Sequence, residues 1–240
     1  MVFILVHGGF HGGWCWQRVA RQLRARGHEV LTPTLTGLGE RSHLLQPTID
    51  LDTHIADVCG VLRWEGVDDA VLVGHSYGGM VITAVADRMP ERLAQLVYLD
   101  GMLPVDGEST NDTAGDGPTQ RAVMAGQADP MRISLEGMEA AYAEQMGVND
   151  PDDVAWVAGK VTAHPAASFL QPIALRATST VPMLYVRCEH SLPGVLDSSY
   201  ERARVRVAED PKSRFEVLGA GHDAMITHPD EVTELLVSVG

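Results

Sequence analysis

Gly74-His75-Ser76-Tyr77-Gly78 matches the pattern G-x-S-x-G, and it stands between an apolar run, Ala70–Val73, and a segment of helical spacing, Met80–Arg88. A serine in that context suits nucleophilic chemistry. The turn is tight enough to need glycine on both sides, and it lifts the hydroxyl clear of a sheet. The helix that follows aims its positive end at any negative charge that develops there. A serine hydroxyl remains a poor nucleophile until a base takes its proton. That base is expected last in the chain, in the order Ser, acid, His. Of the ten histidines, His222 fits best, in the loop GAGHDAM between the last expected strand and the last expected helix. His228 precedes Pro229 at a helix start and reads as a solvated or capping residue.

Acyl transfer also needs two main-chain N–H donors for the oxyanion. Tyr77, directly after the serine, offers one. The loop His7-Gly8-Gly9-Phe10-His11-Gly12 after the first strand should offer the other, and Gly9 N–H is preferred. His7 and His11 read as loop-packing residues. Three readings of the acid stay open. Glu189 comes first, as the only carboxylate between the strand Met183–Cys188 and Asp197. Asp100, at the end of the strand Leu93–Leu99, is the alternative acid. A dyad assisted by water is the third.

These residues need a scaffold. The first half of the chain alternates strand-like and helix-like segments, the signature of an α/β fold with a parallel sheet covered on both faces. Strands are expected at Val2–Val6, Glu29–Thr32, Ala70–Val73 and Leu93–Leu99, with helices at about Cys15–Arg26, Leu51–Trp64 and Met80–Arg88. Asp50 or Asp52 should cap the second helix. The rhythm breaks at Met102, and residues 102–180 read as a helical cap with patches at Glu136–Met146 and Asp152–Val161. It resumes with Met183–Cys188, a helix around Ser198–Val207, the strand Arg214–Leu218 and a helix from Pro229. The core is then 1–101 with 181–240. Met102, Met124, Met131, Met138, Met146, Trp156 and Phe169 are the apolar stock of the cap, suited to an adaptable pocket or simply to packing. Trp14 and Trp16 read as loop and core packing.

Composition narrows the partners. The 240 residues hold 18 basic and 32 acidic side chains, a formal charge of −14, which disfavours nucleic acid and anionic membrane. Three cysteines at irregular spacing suggest neither a disulfide framework nor a zinc site. The start MVFILVHGG has no basic lead and too short an apolar run for a signal peptide or membrane span, so a cytoplasmic setting is expected. The expected partner is a small-molecule ester, and self-association as a homodimer is left open.

The stretches HGGFHGGWCW (7–16), PTLTGLGERSHL (33–44), DLDTHIADV (50–58), VGHSYGGMV (73–81), LVYLDGMLPVDGES (96–109) and GHDAM (221–225) resemble one branch of the α/β-hydrolase superfamily. That branch holds plant methylesterases, plant hydroxynitrile lyases and bacterial carboxylesterases of the pyrethroid-hydrolysing type. The resemblance implies a sheet of about six strands and no metal or organic cofactor, while the apolar stock of the cap points to a small to medium apolar or aromatic ester as the substrate. Lyase members carry a threonine and a lysine where this chain has Gly8 and Asp223, which favours hydrolysis over cyanohydrin cleavage. The usual acid lies three residues after the strand-ending cysteine, where this chain has Ser191. A non-hydrolytic enzyme on the same scaffold (a lyase, a cofactor-free oxygenase or a tailoring enzyme) is therefore the alternative, and an inactive ligand-binding protein the second.

Overall fold

A computed structural model describes residues 1–115 and 131–239. Six parallel strands form one sheet: β1 (Val2–Val6), β2 (Glu29–Leu31), β3 (Ala70–His75), β4 (Leu93–Leu99), β7 (Met183–His190) and β8 (Arg214–Gly221). Their spatial order is β2-β1-β3-β4-β7-β8. The chain therefore steps one way from β1 to β2 and the other way from β3 onward. In such a sheet the crevice at the carboxyl ends, where the order reverses, is the natural place for a site.

Period-two alternation divides the core between the two faces. Ile4, Val6 and Leu72 point to one side, against α2 (Leu51–Trp64) and α3 (Gly78–Arg88), while Phe3, Leu5, Val71 and Val73 point to the other, where α1 (Gln17–Ala25) packs. Both faces are covered, so β1 and β3 read as continuous apolar runs rather than alternating ones. Asp50 is the cap of α2: its carboxylate accepts from Thr53 N–H at 2.9 Å. Such a cap is worth about 1 kcal/mol. The helix expected from Cys15 instead opens as a 3₁₀ turn, Gly13–Trp16, before α1 begins.

Between β4 and β7 the described residues form α4 (Thr110–Thr113), α5 (Glu139–Gln145), α6 (Pro151–Ala158) and α7 (Ala166–Leu170). A small antiparallel ladder was not foreseen: β5 (Arg132–Ile133) pairs with β6 (His164–Pro165). This segment touches the first loop of the sheet, where Thr162 N–H donates to Phe10 O at 2.9 Å. Among its apolar residues, Met102, Met146 and Phe169 are buried, whereas Met131 and Met138 are exposed. Met124 lies outside the described residues. After β7 come α8 (Asp197–Glu209), α9 (Ala224–Thr227) and α10 (Pro229–Val237).

Candidate active site

The turn after β3 is built by exclusion. A Cβ on Gly74 would lie 2.7 Å from Gly78 O, and one on Gly78 would lie 2.8 Å from the carbonyl oxygens of Val6 and His7. Between them Ser76 adopts φ +52°, a left-handed conformation unfavourable to any residue with a side chain. Phe10 (φ +65°) and Asp100 (φ +46°) share it. Among the described residues, three of the four non-glycine residues with positive φ thus stand at or just beyond the carboxyl ends of β1, β3 and β4. Backbone strain concentrated in this way marks functional sites.

Ser76 is partly exposed, and Tyr77 after it is the N-cap of α3, so the Tyr77 N–H has no acceptor inside the helix. The Tyr77 hydroxyl is fixed from behind. His54 Nε2 faces Thr36 O at 2.9 Å and must donate, so its Nδ1 accepts from the Tyr77 hydroxyl at 2.8 Å. On the facing loop the Gly9 carbonyl accepts from His11 Nδ1 at 2.7 Å and from the Tyr142 hydroxyl at 3.4 Å.

His222 directly follows β8, and its ring Nδ1 lies 2.6 Å from Asp100 Oδ2. With Nδ1 engaged, Nε2 is the nitrogen left to take a proton. Asp100 is buried and gathers four donors: His222, the Cys188 N–H at 2.9 Å, the Tyr200 hydroxyl at 2.8 Å and the Ser191 hydroxyl. Burial alone would raise this carboxyl, but His222, Ser191 and the Cys188 amide together hold it below the usual carboxylate range. Ser191 Oγ is also 3.3 Å from His222 Nδ1.

Glu189, the first expectation for the acid, is not at His222. It is exposed, and its Oε2 lies 3.9 Å from where a Cβ on Gly219 of β8 would stand. The reason is strand length. β7 runs on to His190 instead of ending at Cys188, and a register irregularity against β8 falls between Cys188 and His190. Glu189 is therefore an exposed strand residue beside Gly219, and the carboxylate in contact with the His222 ring is that of Asp100.

Asp223 is a second carboxylate that sequence reasoning overlooked as part of the site. It is fully buried, with Oδ2 3.0 Å from His11 Nε2 and Oδ1 3.6 Å from His75 Nε2. Its sequence signal was its position directly after His222. His7 behaves as loop packing: Nε2 accepts from Leu35 N–H at 3.0 Å, and burial lowers the ring to about 3. Trp16 is buried, and Trp14 stacks on His11 at 5.2 Å. His228 hydrogen-bonds Thr227 Oγ1 at 2.8 Å at the start of α10.

An aromatic wall rises beside the Gly9 loop. Phe10 contacts Tyr142 at 5.4 Å and His164 at 5.5 Å between ring centres, and His164 lies 4.1 Å from Phe169. Phe169 Cζ would come within 2.9 Å of a Cβ on Gly9. His164 is neutral here: burial, reinforced by His54 and His7, pushes it well below its ordinary value.

Comparison with known proteins agrees with this fold. The profile of the alpha/beta hydrolase family matches residues 3–235. A carbendazim hydrolyzing esterase of Nocardioides sp. (strain SG-4G) is 36% identical over 99% of both chains. Methylesterase 7 of Arabidopsis thaliana is 27% identical over 99% of this chain and 95% of its own. Among solved structures, an extracellular alpha/beta-hydrolase from a Paenibacillus species superposes with a TM-score of 0.81 at 21% identity, covering 100% of this chain and 99% of the other. At that identity the superposition speaks for the fold alone. The chain belongs to the alpha/beta hydrolase family, as an ester hydrolase of the carboxylesterase type.

Proposed function

We propose that this chain cleaves carboxylic esters through an acyl-enzyme on Ser76, with His222 as general base and Asp100, rather than Glu189, as the acid that orients it. The buried 2.6 Å contact between Asp100 Oδ2 and His222 Nδ1 carries the reading. It fixes the tautomer whose Nε2 accepts the serine proton, and it stabilises the imidazolium that forms. Ser76 Oγ attacks the ester carbonyl, His222 takes the serine proton and passes it to the leaving alcohol, and water then releases the acid. The N–H groups of Gly9 and Tyr77 hold the tetrahedral oxyanion, each worth about 3 kcal/mol of barrier.

The aromatic wall of Phe10, Tyr142 and Phe169 favours a small to medium apolar or aromatic ester. The segment 102–180 serves as a cap over the core formed by 1–101 and 181–240. The name of the 36% identical relative makes carbendazim a first compound to try beside nitrophenyl esters. Among the described residues no helix is long and apolar enough to cross a membrane. A cytoplasmic setting remains part of the proposal, and so does a homodimer. The change to Ser191 that motivated a non-hydrolytic alternative loses its force, since Asp100 supplies the carboxylate.

Incubation with nitrophenyl butyrate should release the acid, and Ser76→Ala should abolish that release together with labelling by a fluorophosphonate. Unchanged turnover in Ser76→Ala would refute the mechanism.

A further inference from the structure

His11 lies between two acceptors. Its Nδ1 is 2.7 Å from Gly9 O and its Nε2 is 3.0 Å from Asp223 Oδ2. A carbonyl oxygen cannot donate, and an ionised carboxylate only accepts, so both ring nitrogens carry protons whenever Asp223 is charged. The pair is sealed from solvent, His11 at 1% and Asp223 at 0% side-chain exposure. Burial alone would neutralise both groups, but each stabilises the other's charge. Against that burial, the Asp223 charge and hydrogen bond, with Gly9 O, raise His11, while His11 holds Asp223 below its ordinary value.

The pair touches two parts of the site. Gly9 belongs to the loop after β1, and Asp223 follows the base in sequence. From Asp223 the contacts continue through His75, the neighbour of Ser76. Burial, with His222 beside it, lowers His75 to about 3, so it is neutral with a single ring proton. That proton sits on Nε2, which donates to His222 O at 3.1 Å and leaves Nδ1 without a partner. The groups facing His11 are Asp223, His75 at 6.1 Å and Tyr142 at 6.0 Å between ring centres, Cys15 beside Asp223, and His7. Burial keeps Tyr142 and Cys15 protonated, so Asp223 supplies the negative charge at this ring. His222 is faced by Asp100, Ser191, His75 and the charge of Asp223.

We propose that His11 and Asp223 form a buried imidazolium–carboxylate clamp that joins the Gly9 loop to the His222 loop, each group ionised only because the other is. Both are positioning residues, and the assignment rests on the acyl-transfer reading above. Ionised together, the two groups tie the Gly9 carbonyl, on the first loop, to the residue that follows His222.

The test joins a measurement that needs no turnover to one that does. In protein labelled with 15N histidine, the His11 ring should show both nitrogens protonated at pH 8. A single protonated nitrogen there would overturn the clamp, whether or not Ser76 proves to be the nucleophile. In Asp223→Asn the same ring should show one protonated nitrogen at pH 8, because an amide cannot hold the second proton in a site sealed from water; a ring still doubly protonated there would refute the pairing. Against a nitrophenyl ester, His11→Gln and Asp223→Asn should each lower kcat/KM, and the double variant should lose little more than the larger single loss, as partners in one contact do. Losses that add in the double variant also refute the proposal. Loss of Ser76 labelling with a doubly protonated His11 would instead count against the acyl-transfer reading and leave the clamp standing.

Discussion

Asp100 Oδ2 and His222 Nδ1 meet at 2.6 Å across 122 residues of chain, one at the end of β4 and the other at the end of β8. β7 lies between those strands in the sheet, so the contact passes over its carboxyl end, where Cys188 N–H and Ser191 Oγ both donate to the same carboxylate. The residue at the usual acid position has thus become a hydrogen-bond donor to a carboxylate supplied by a neighbouring strand.

Asp100→Asn is expected to lower kcat by roughly 10³- to 10⁴-fold, since an amide no longer holds the imidazole in the productive tautomer. Glu189→Gln should leave kcat within about twofold, because Glu189 is exposed and lies beside Gly219. Steady-state kinetics on one ester compares the two directly. A large loss in Glu189→Gln with none in Asp100→Asn would reverse the assignment of the acid.

Ser191→Ala removes one donor from Asp100 Oδ2. The loss of such a bond is worth about 1 kcal/mol, so kcat/KM should fall by roughly fivefold with folding intact. Ser191→Asp should do worse, because it puts a second carboxylate against the first and like charges disfavour joint ionisation. Its acid limb should move to higher pH.

The same carboxylate gives stability a pH signature. Asp100 is held below its ordinary range in the folded protein, so its stabilisation is complete above the unfolded value of about 3.9 and disappears as pH falls through the folded one. Urea titrations should show Asp100→Asn less stable than wild type by a constant margin from about pH 5 to 7, with the margin closing below about pH 4. A margin that does not shrink at all as pH falls below about 4 would contradict the assignment.

Two glycines should respond differently to alanine. At Gly74 the new Cβ meets main-chain Gly78 O at 2.7 Å, which cannot move without opening the turn. A loss of more than about 3 kcal/mol, or failure to fold, is expected. At Gly9 the nearest atom is Phe169 Cζ at 2.9 Å, the tip of a side chain that can swing aside. Gly9→Ala should fold with a melting temperature near that of wild type and show its effect in KM for aryl esters.

The sequence alone determined whatever depends on neighbours along the chain. The alternation of apolar runs implied the parallel sheet, the glycines around Ser76 implied the tight turn, and the loop after the last strand singled out His222. Each of these follows from local sterics or period, which a linear pattern records. A carboxylate cap on the second helix, at Asp50 or Asp52, was legible for the same reason, and the structure places it at Asp50. Which carboxylate meets His222 was not legible, because Glu189 and Asp100 were both expected just beyond strand ends, and only the length of β7 and its register against β8 separate them. The pairing of His11 with Asp223 joins residues 212 apart, and nothing near either one announces the other. Strand ends converge in three dimensions, so which charges become neighbours is settled by the order and register of the sheet.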